Sequence, residues 1–121
     1  MNADVLDSIN KAAVDFLCKP SPQPGVKYDM NKPDYSLIPP NALDNVVKVL
    51  TLGSQKYSRD NWKLLEDSNN RYFAAAMRHL WARFRGEKTD PESGIDHGAH
   101  AICCILFMME KDNNETLKFT K

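Results

Sequence analysis

The chain has 121 residues and a mass of 13.8 kDa, the size of one domain, with sixteen Lys+Arg balancing sixteen Asp+Glu. An isoelectric point near 6.8 excludes a dedicated DNA-coating protein, whose phosphate contacts need excess positive charge, so no nucleic-acid partner is expected. With 42% hydrophobic residues, a mean hydropathy of −0.52 and no apolar run longer than Ala101 to Met109, the composition is globular, excluding disorder and a membrane span of roughly 20 residues.

The N-terminus shows no basic stretch followed by an apolar one, so no signal peptide is expected. Three cysteines, two of them adjacent (Cys103, Cys104), make no disulfide framework. Both features suit a reducing cytoplasm.

In chain order, Val5, Leu6, Ile9, Ala13, Phe16 and Leu17 recur at near-helical spacing and predict a first helix from Asn2 to about Cys18. Prolines at 20, 22, 24, 33, 39 and 40 then enforce a long loop from Lys19 to Pro40. Charged and aromatic residues within it, among them Lys27, Tyr28, Lys32 and Tyr35, mark it as functional. A second helix starts at Asn41, with Leu43, Val46, Val47 and Leu50 as its apolar face and Gly53 ending or bending it. A third starts near Asn69 or Asn70 and carries Tyr72, Phe73, Ala76, Met77, Leu80, Trp81 and Phe84 as a stripe until Gly86, with Trp81 and Phe84 read as core. Asp90 as N-cap and Pro91 at the first helical position begin a fourth, which runs to about Lys111 before a polar end that frays. Cys103 and Cys104 read as core.

No segment reads as a strand. The expected fold is all-α, one domain over residues 1–121, with four main helices and an antiparallel hairpin of helices three and four. The fourth helix is apolar on every face from Ala101 to Met109, as a helix shared between subunits would be, so a homodimer or homotetramer is expected.

All three histidines, His79, His97 and His100, fall on the hairpin. At 1.5 Å per residue, His79 lies about 10 Å before the turn and His97 about 9 Å after it, so the two sit at similar heights. Glu87, Asp90, Glu92 and Asp96 gather nearby, with Glu92, Asp96 and His100 on one i, i+4 stripe of a continuous helix. Carboxylates at this density repel, and Mg²⁺ or Mn²⁺ would offset the repulsion. Arg78, Arg83, Lys88 and Lys56 could meet phosphate oxygens. Tyr28, Tyr57 and Trp62, each beside Lys or Asn in a nonhelical stretch, could either stack a base or close the core.

Several blocks together carry a resemblance. Lys27-Tyr-Asp-Met-Asn-Lys32-Pro33, Leu37-Ile-Pro-Pro, Gly53-x-x-Lys56-Tyr57-x-x-x-Asn61-Trp62, Arg78-His79-Leu80 and Gly86-Glu87-x-x-Asp90-Pro-Glu92-x-Gly94-x-x-His97-x-x-His100-Ala101 follow in order from about Val26 to about Glu110. This pattern resembles the phage dATP/dGTP diphosphohydrolase family. The resemblance implies a metal-dependent pyrophosphohydrolase, working in the host cytoplasm, that splits a (deoxy)purine nucleoside triphosphate into monophosphate and pyrophosphate. It is also similar, more distantly, to MazG-like all-α enzymes, which are oligomeric and hold Mg²⁺ on helix carboxylates. Those enzymes carry Glu-x-x-Glu before Glu-x-x-Asp, and here only Glu87-Lys-Thr-Asp90 matches the second element.

On this reading Glu92, Asp96, Glu87 and Asp90 hold Mg²⁺ or Mn²⁺. Glu87, Asp90, His79, His97 and His100 act as ligands or proton-transfer groups. Lys27, Lys32, Lys56 and Arg78 neutralise phosphates, Trp62, Tyr57 or Tyr28 holds the base, and Asn61 reads its edge. An oligomer would let the Lys27–Pro33 segment reach a neighbouring site. The alternative is a phage protein that sequesters a nucleotide without cutting it.

Overall fold

The computed structural model describes residue 10 and residues 24–120, with side chains to Asn114. Its contacts divide the chain into residues 1–34 and 35–121. The first predicted helix, apart from a helical Asn10, lies outside the described residues. Residues 24–34 are extended chain with one turn, closed by the Lys32 amide donating to the Asp29 carbonyl (3.1 Å). Lys27, Tyr28 and Lys32 are exposed on it.

The second unit is helical. A 3₁₀ turn at Tyr35–Leu37 precedes α1 (Pro40–Lys56), the short α2 (Asn61–Leu64), α3 (Ser68–Phe84) and α4 (His97–Thr120). Among the described residues there is no strand, and an isolated bridge pairs Thr89 with Asp96. The helix passes Gly53 without ending there. Helix α4 continues well beyond Lys111, because no glycine or proline follows Gly98 to stop it. Among the described residues no helix is long and apolar enough to cross a membrane.

Helix α4 is central. On one side Ala99 and Cys103 meet Val46 and Val49 of α1, joined by the Cys103 thiol donating to the Val46 carbonyl (3.4 Å). On the other, Ala101 and Cys104 meet Ala76 of α3, flanked by Tyr72 and Ala75. Small residues at the contacts let the helices approach closely and bring the α3 and α4 side chains at the hairpin's turn end within reach of one another. Lys111 ties the far end, donating to Ser68 Oγ (2.8 Å) and the Leu65 carbonyl (3.3 Å).

One expectation about packing changes and one open alternative is decided. Trp81 and Phe84, read as core, are 57% and 80% exposed and stack on each other at 5.5 Å. The apolar stripe of α3 spans half the wheel, and the half holding Ala76 is the one that turns to α4. Trp62, open between stacking a base and closing the core, closes the core, its ring stacked on Phe107 at 5.3 Å with Tyr72 on the same phenyl ring.

Candidate functional site

The site is built by the connection between α3 and α4. Helix α3 ends in a Schellman turn. The Gly86 amide donates to the Arg83 carbonyl and the Glu87 amide to the Ala82 carbonyl, with Gly86 at φ +105°, a conformation open to glycine. The chain then folds back on itself. Asp90 donates its amide to the Ile95 carbonyl (2.8 Å), and His97 donates to the Lys88 carbonyl (2.9 Å).

This staple moves the start of α4. Asp90 does act as a cap, its Oδ1 accepting from the Glu92 and Ser93 amides (2.7 and 3.3 Å), but only for one turn. Gly94 at φ +71° breaks that turn, and the helix begins at His97, not at Pro91. Its cap is Asp96, whose Oδ1 accepts from the Gly98 amide at 2.7 Å. The expected Glu92–Asp96–His100 stripe is therefore not formed, because Glu92 precedes the helix. Glu92 instead pairs with Lys56 (3.1 Å), and Asp96 pairs with Arg83 (2.9 Å). Of the four carboxylates expected to hold a metal, these two are engaged by cations, and Glu87 and Asp90 face the histidines.

With Oδ1 of Asp90 held by amides, Oδ2 lies 3.8 Å from Nδ1 of His79 and 3.9 Å from Nδ1 of His97. Those two nitrogens are 2.8 Å apart. His97 is buried (5% exposed) and its Nε2 lies 3.2 Å from Oε2 of Glu87. A carboxylate accepts only, so Nε2 of His97 carries the proton and donates. In the His97 tautomer that carries its proton on Nε2, Nδ1 holds a lone pair that accepts from Nδ1–H of His79. The ring of His100 stacks on that of His79 (4.7 Å), and its Nε2 lies 2.7 Å from the Ser93 hydroxyl, which also accepts from the Ile95 amide. His79, Asp90 and His100 each offer a donor atom within 4.8 Å of the others.

The electrostatics suit metal or phosphate chemistry. Burial, then the neighbouring imidazoles His100 and His97, pushes the His79 pKa down. Burial likewise lowers that of His100, outweighing the attraction of Asp90. Burial alone would raise the Asp90 carboxyl, but the Glu92 and Ser93 amides and the nearby histidines outweigh it and hold the pKa below the usual carboxylate value. At neutral pH His79 and His100 therefore present neutral imidazoles beside an ionised carboxylate, the protonation state in which these side chains bind a metal.

Lys56 reaches this turn through Glu92, its ammonium pKa raised by that hydrogen bond, and lies over the Tyr57 ring (5.3 Å). Arg78 is exposed beside His79. Asn61 and Trp62 begin α2, and Trp62 stacks on Phe107, about 10 Å along α4 from His100. Sequence reasoning missed Ser93 as the partner of His100 and the Gly98 amide as the group Asp96 caps. The signals were Asp96-His-Gly98, a cap spacing, and Ser93-Gly94, a helix-breaking pair.

The family described as dATP/dGTP diphosphohydrolase, N-terminal, matches residues 22–120. A dATP/dGTP diphosphohydrolase from Salmonella phage PMBT28 is 37% identical over 90 residues, 74% of this chain and 30% of the phage protein. The chain thus spans under a third of that relative's length. No solved structure matches.

Proposed function

This chain belongs to the dATP/dGTP diphosphohydrolase N-terminal family, and from that premise we propose that it hydrolyses a deoxypurine nucleoside triphosphate to monophosphate and pyrophosphate at the turn end of the α3–α4 hairpin. The observation that supports this most is the convergence of His79, His97, His100 and Asp90 from both sides of one turn, with Lys56 and Arg78 alongside. Water attacks the α-phosphorus, a new P–O bond forms, the bond to the bridging oxygen breaks, and pyrophosphate leaves with the electron pair. A divalent cation, Mg²⁺ or Mn²⁺, would supply charge neutralisation and a more acidic water. Lys56 and Arg78 neutralise phosphate oxygens, which is where most of the catalysis of phosphoryl transfer lies. The test is incubation of the folded chain with dATP and with dGTP, each with Mg²⁺ or Mn²⁺, followed by separation of nucleotides. Monophosphate and pyrophosphate in equal amounts support the reading; intact triphosphate throughout removes it.

A second reading is favoured by one observation, the small fraction of the relative that this chain matches. On it, the chain binds the nucleotide without cutting it. Calorimetry showing tight binding unaffected by EDTA, with the triphosphate recovered intact, would select it.

The expected homodimer or homotetramer belongs to the same proposal. Phe73, Met77, Leu80, Trp81 and Phe84 line one exposed face of α3, and Ile102, Ile105, Leu106 and Met109 line one of α4. Exposed apolar faces of this kind are what a subunit interface covers. A second copy of the chain is the occupant proposed for them.

A further inference from the structure

We propose that His79, Asp90 and His97, with His100 beside them, form a centre for a first-row transition ion, Mn²⁺ through Zn²⁺, in preference to Mg²⁺, and that Glu87 is a positioning residue which aims the His97 lone pair at it. The proposal deepens, and for its purpose rests on, the reading of this hairpin as a hydrolytic centre.

Geometry carries it. The three atoms Nδ1 of His79, Nδ1 of His97 and Oδ2 of Asp90 are 2.8, 3.8 and 3.9 Å apart. A point equidistant from all three lies about 2.1 Å from each, the bond length that imidazole and carboxylate donors make to such an ion. An ion there keeps positions open for water and phosphate oxygens. His100, whose donor atom lies within 4.8 Å of those of His79 and Asp90, supplies a fourth candidate ligand.

Donor chemistry selects the ion. Imidazole nitrogen suits Zn²⁺, Fe²⁺ and their neighbours, whereas Mg²⁺ demands oxygen. The two carboxylates that would have made an oxygen-rich site are held elsewhere, Glu92 by Lys56 and Asp96 by Arg83. The outer contacts match those of ligating histidines. Nε2–H of His97 donates to Glu87 and Nε2 of His100 meets Ser93, so each ring is oriented by its other nitrogen. Proton balance is simple. Neutral His79 shifts its proton from Nδ1 to Nε2 as the ion arrives, and no net proton is released.

The test is direct binding. Metal-free chain is titrated with Co²⁺, read by its visible ligand-field absorption, and with Mg²⁺, read by calorimetry. One Co²⁺ per chain, bound at least 100-fold more tightly than Mg²⁺, is expected. Glu87→Gln should weaken Co²⁺ by 10- to 100-fold, His79→Asn should remove the absorption, and Glu92→Gln should leave the affinity within twofold. Circular dichroism checks that each variant is folded, and should His79→Asn fail to fold, His100→Asn and Glu87→Gln still decide the matter. Mg²⁺ binding as tight as Co²⁺, no Co²⁺ absorption from folded wild type, or Glu92→Gln weakening Co²⁺ more than Glu87→Gln overturns the proposal. Co²⁺ binding without nucleotide hydrolysis leaves the centre standing and removes the hydrolytic reading. Hydrolysis supported by Mg²⁺ in a chain that gives no Co²⁺ signal does the reverse.

Discussion

Asp96 separates a capping role from a ligand role. Its Oδ1 accepts from the Gly98 amide at 2.7 Å and from Nε of Arg83 at 2.9 Å. Losing an Asp cap costs about 1 kcal/mol. The Arg83 contact is half-exposed, and solvent screening holds it to roughly 0.5 kcal/mol. Asp96→Ala should therefore cost about 1.5 kcal/mol. Asp96→Asn should cost roughly 0.5 kcal/mol, because asparagine caps nearly as well. Urea unfolding followed by circular dichroism, at one fixed protein concentration, measures both, with m unchanged. The hydrogen bond from Arg83, then that from the Gly98 amide, holds the Asp96 pKa below its ordinary value. A depressed folded pKa means the charged form stabilises the fold. The contribution is complete above the unfolded pKa near 3.9 and is lost as pH falls through the folded one. The gap between wild type and Asp96→Asn should thus be constant from about pH 5 to 7 and close below about pH 4. An asparagine variant as unstable as the alanine one, or one that no longer binds Co²⁺, would refute the capping account.

Three further outcomes follow from the same structure. Burial pushes the Cys103 thiol up to about 12, leaving on the order of one thiolate in 10⁴ at pH 8, so iodoacetamide should label neither Cys103 nor the similarly buried Cys104 until the chain is unfolded, as mass spectrometry will show. Gly94 sits at φ +71° with nothing within 4 Å of an added Cβ, so Gly94→Ala should cost about 1–2 kcal/mol in urea unfolding from backbone strain alone; a neutral change would contradict the turn geometry. Phe84 is 80% exposed, so Phe84→Asp should reduce the mass seen by light scattering to one 13.8 kDa chain with helicity unchanged; a wild type that is already monomeric would defeat the proposed self-association.

The hairpin was legible from the sequence because Gly86 stops one helix and the apolar stripes of Tyr72–Phe84 and Ala101–Phe107 fix two helical periods on either side of it. Level placement of His79 and His97 followed from rise per residue, and the 2.8 Å approach of their nitrogens agrees with it. What escaped was the true start of α4. Asp90-Pro91 is a strong local helix signal, but Gly94 takes a left-handed conformation and the backbone bridge of Thr89 to Asp96 outweighs it. That five-residue detour decides which carboxylates face the histidines, and no helical wheel drawn through Glu92 could reveal it. Trp81 and Phe84 misled for a related reason. Periodicity marks an apolar face, but which half of a broad face is buried depends on where small residues such as Ala76 and Ala101 let helices meet.

Asp90→Asn bears on whether the cluster around Asp90 performs the proposed hydrolysis. Asparagine keeps an oxygen to accept from the Glu92 and Ser93 amides, so the turn should survive, while the charge facing His79 and His97 is lost. Measured on dGTP and dATP with the melting temperature monitored alongside, kcat/KM should fall by about 100-fold or more, roughly 2.7 kcal/mol of transition-state stabilisation, with the fold intact. A folded Asp90→Asn chain that hydrolyses either nucleotide within a few-fold of the wild-type rate would contradict the claim.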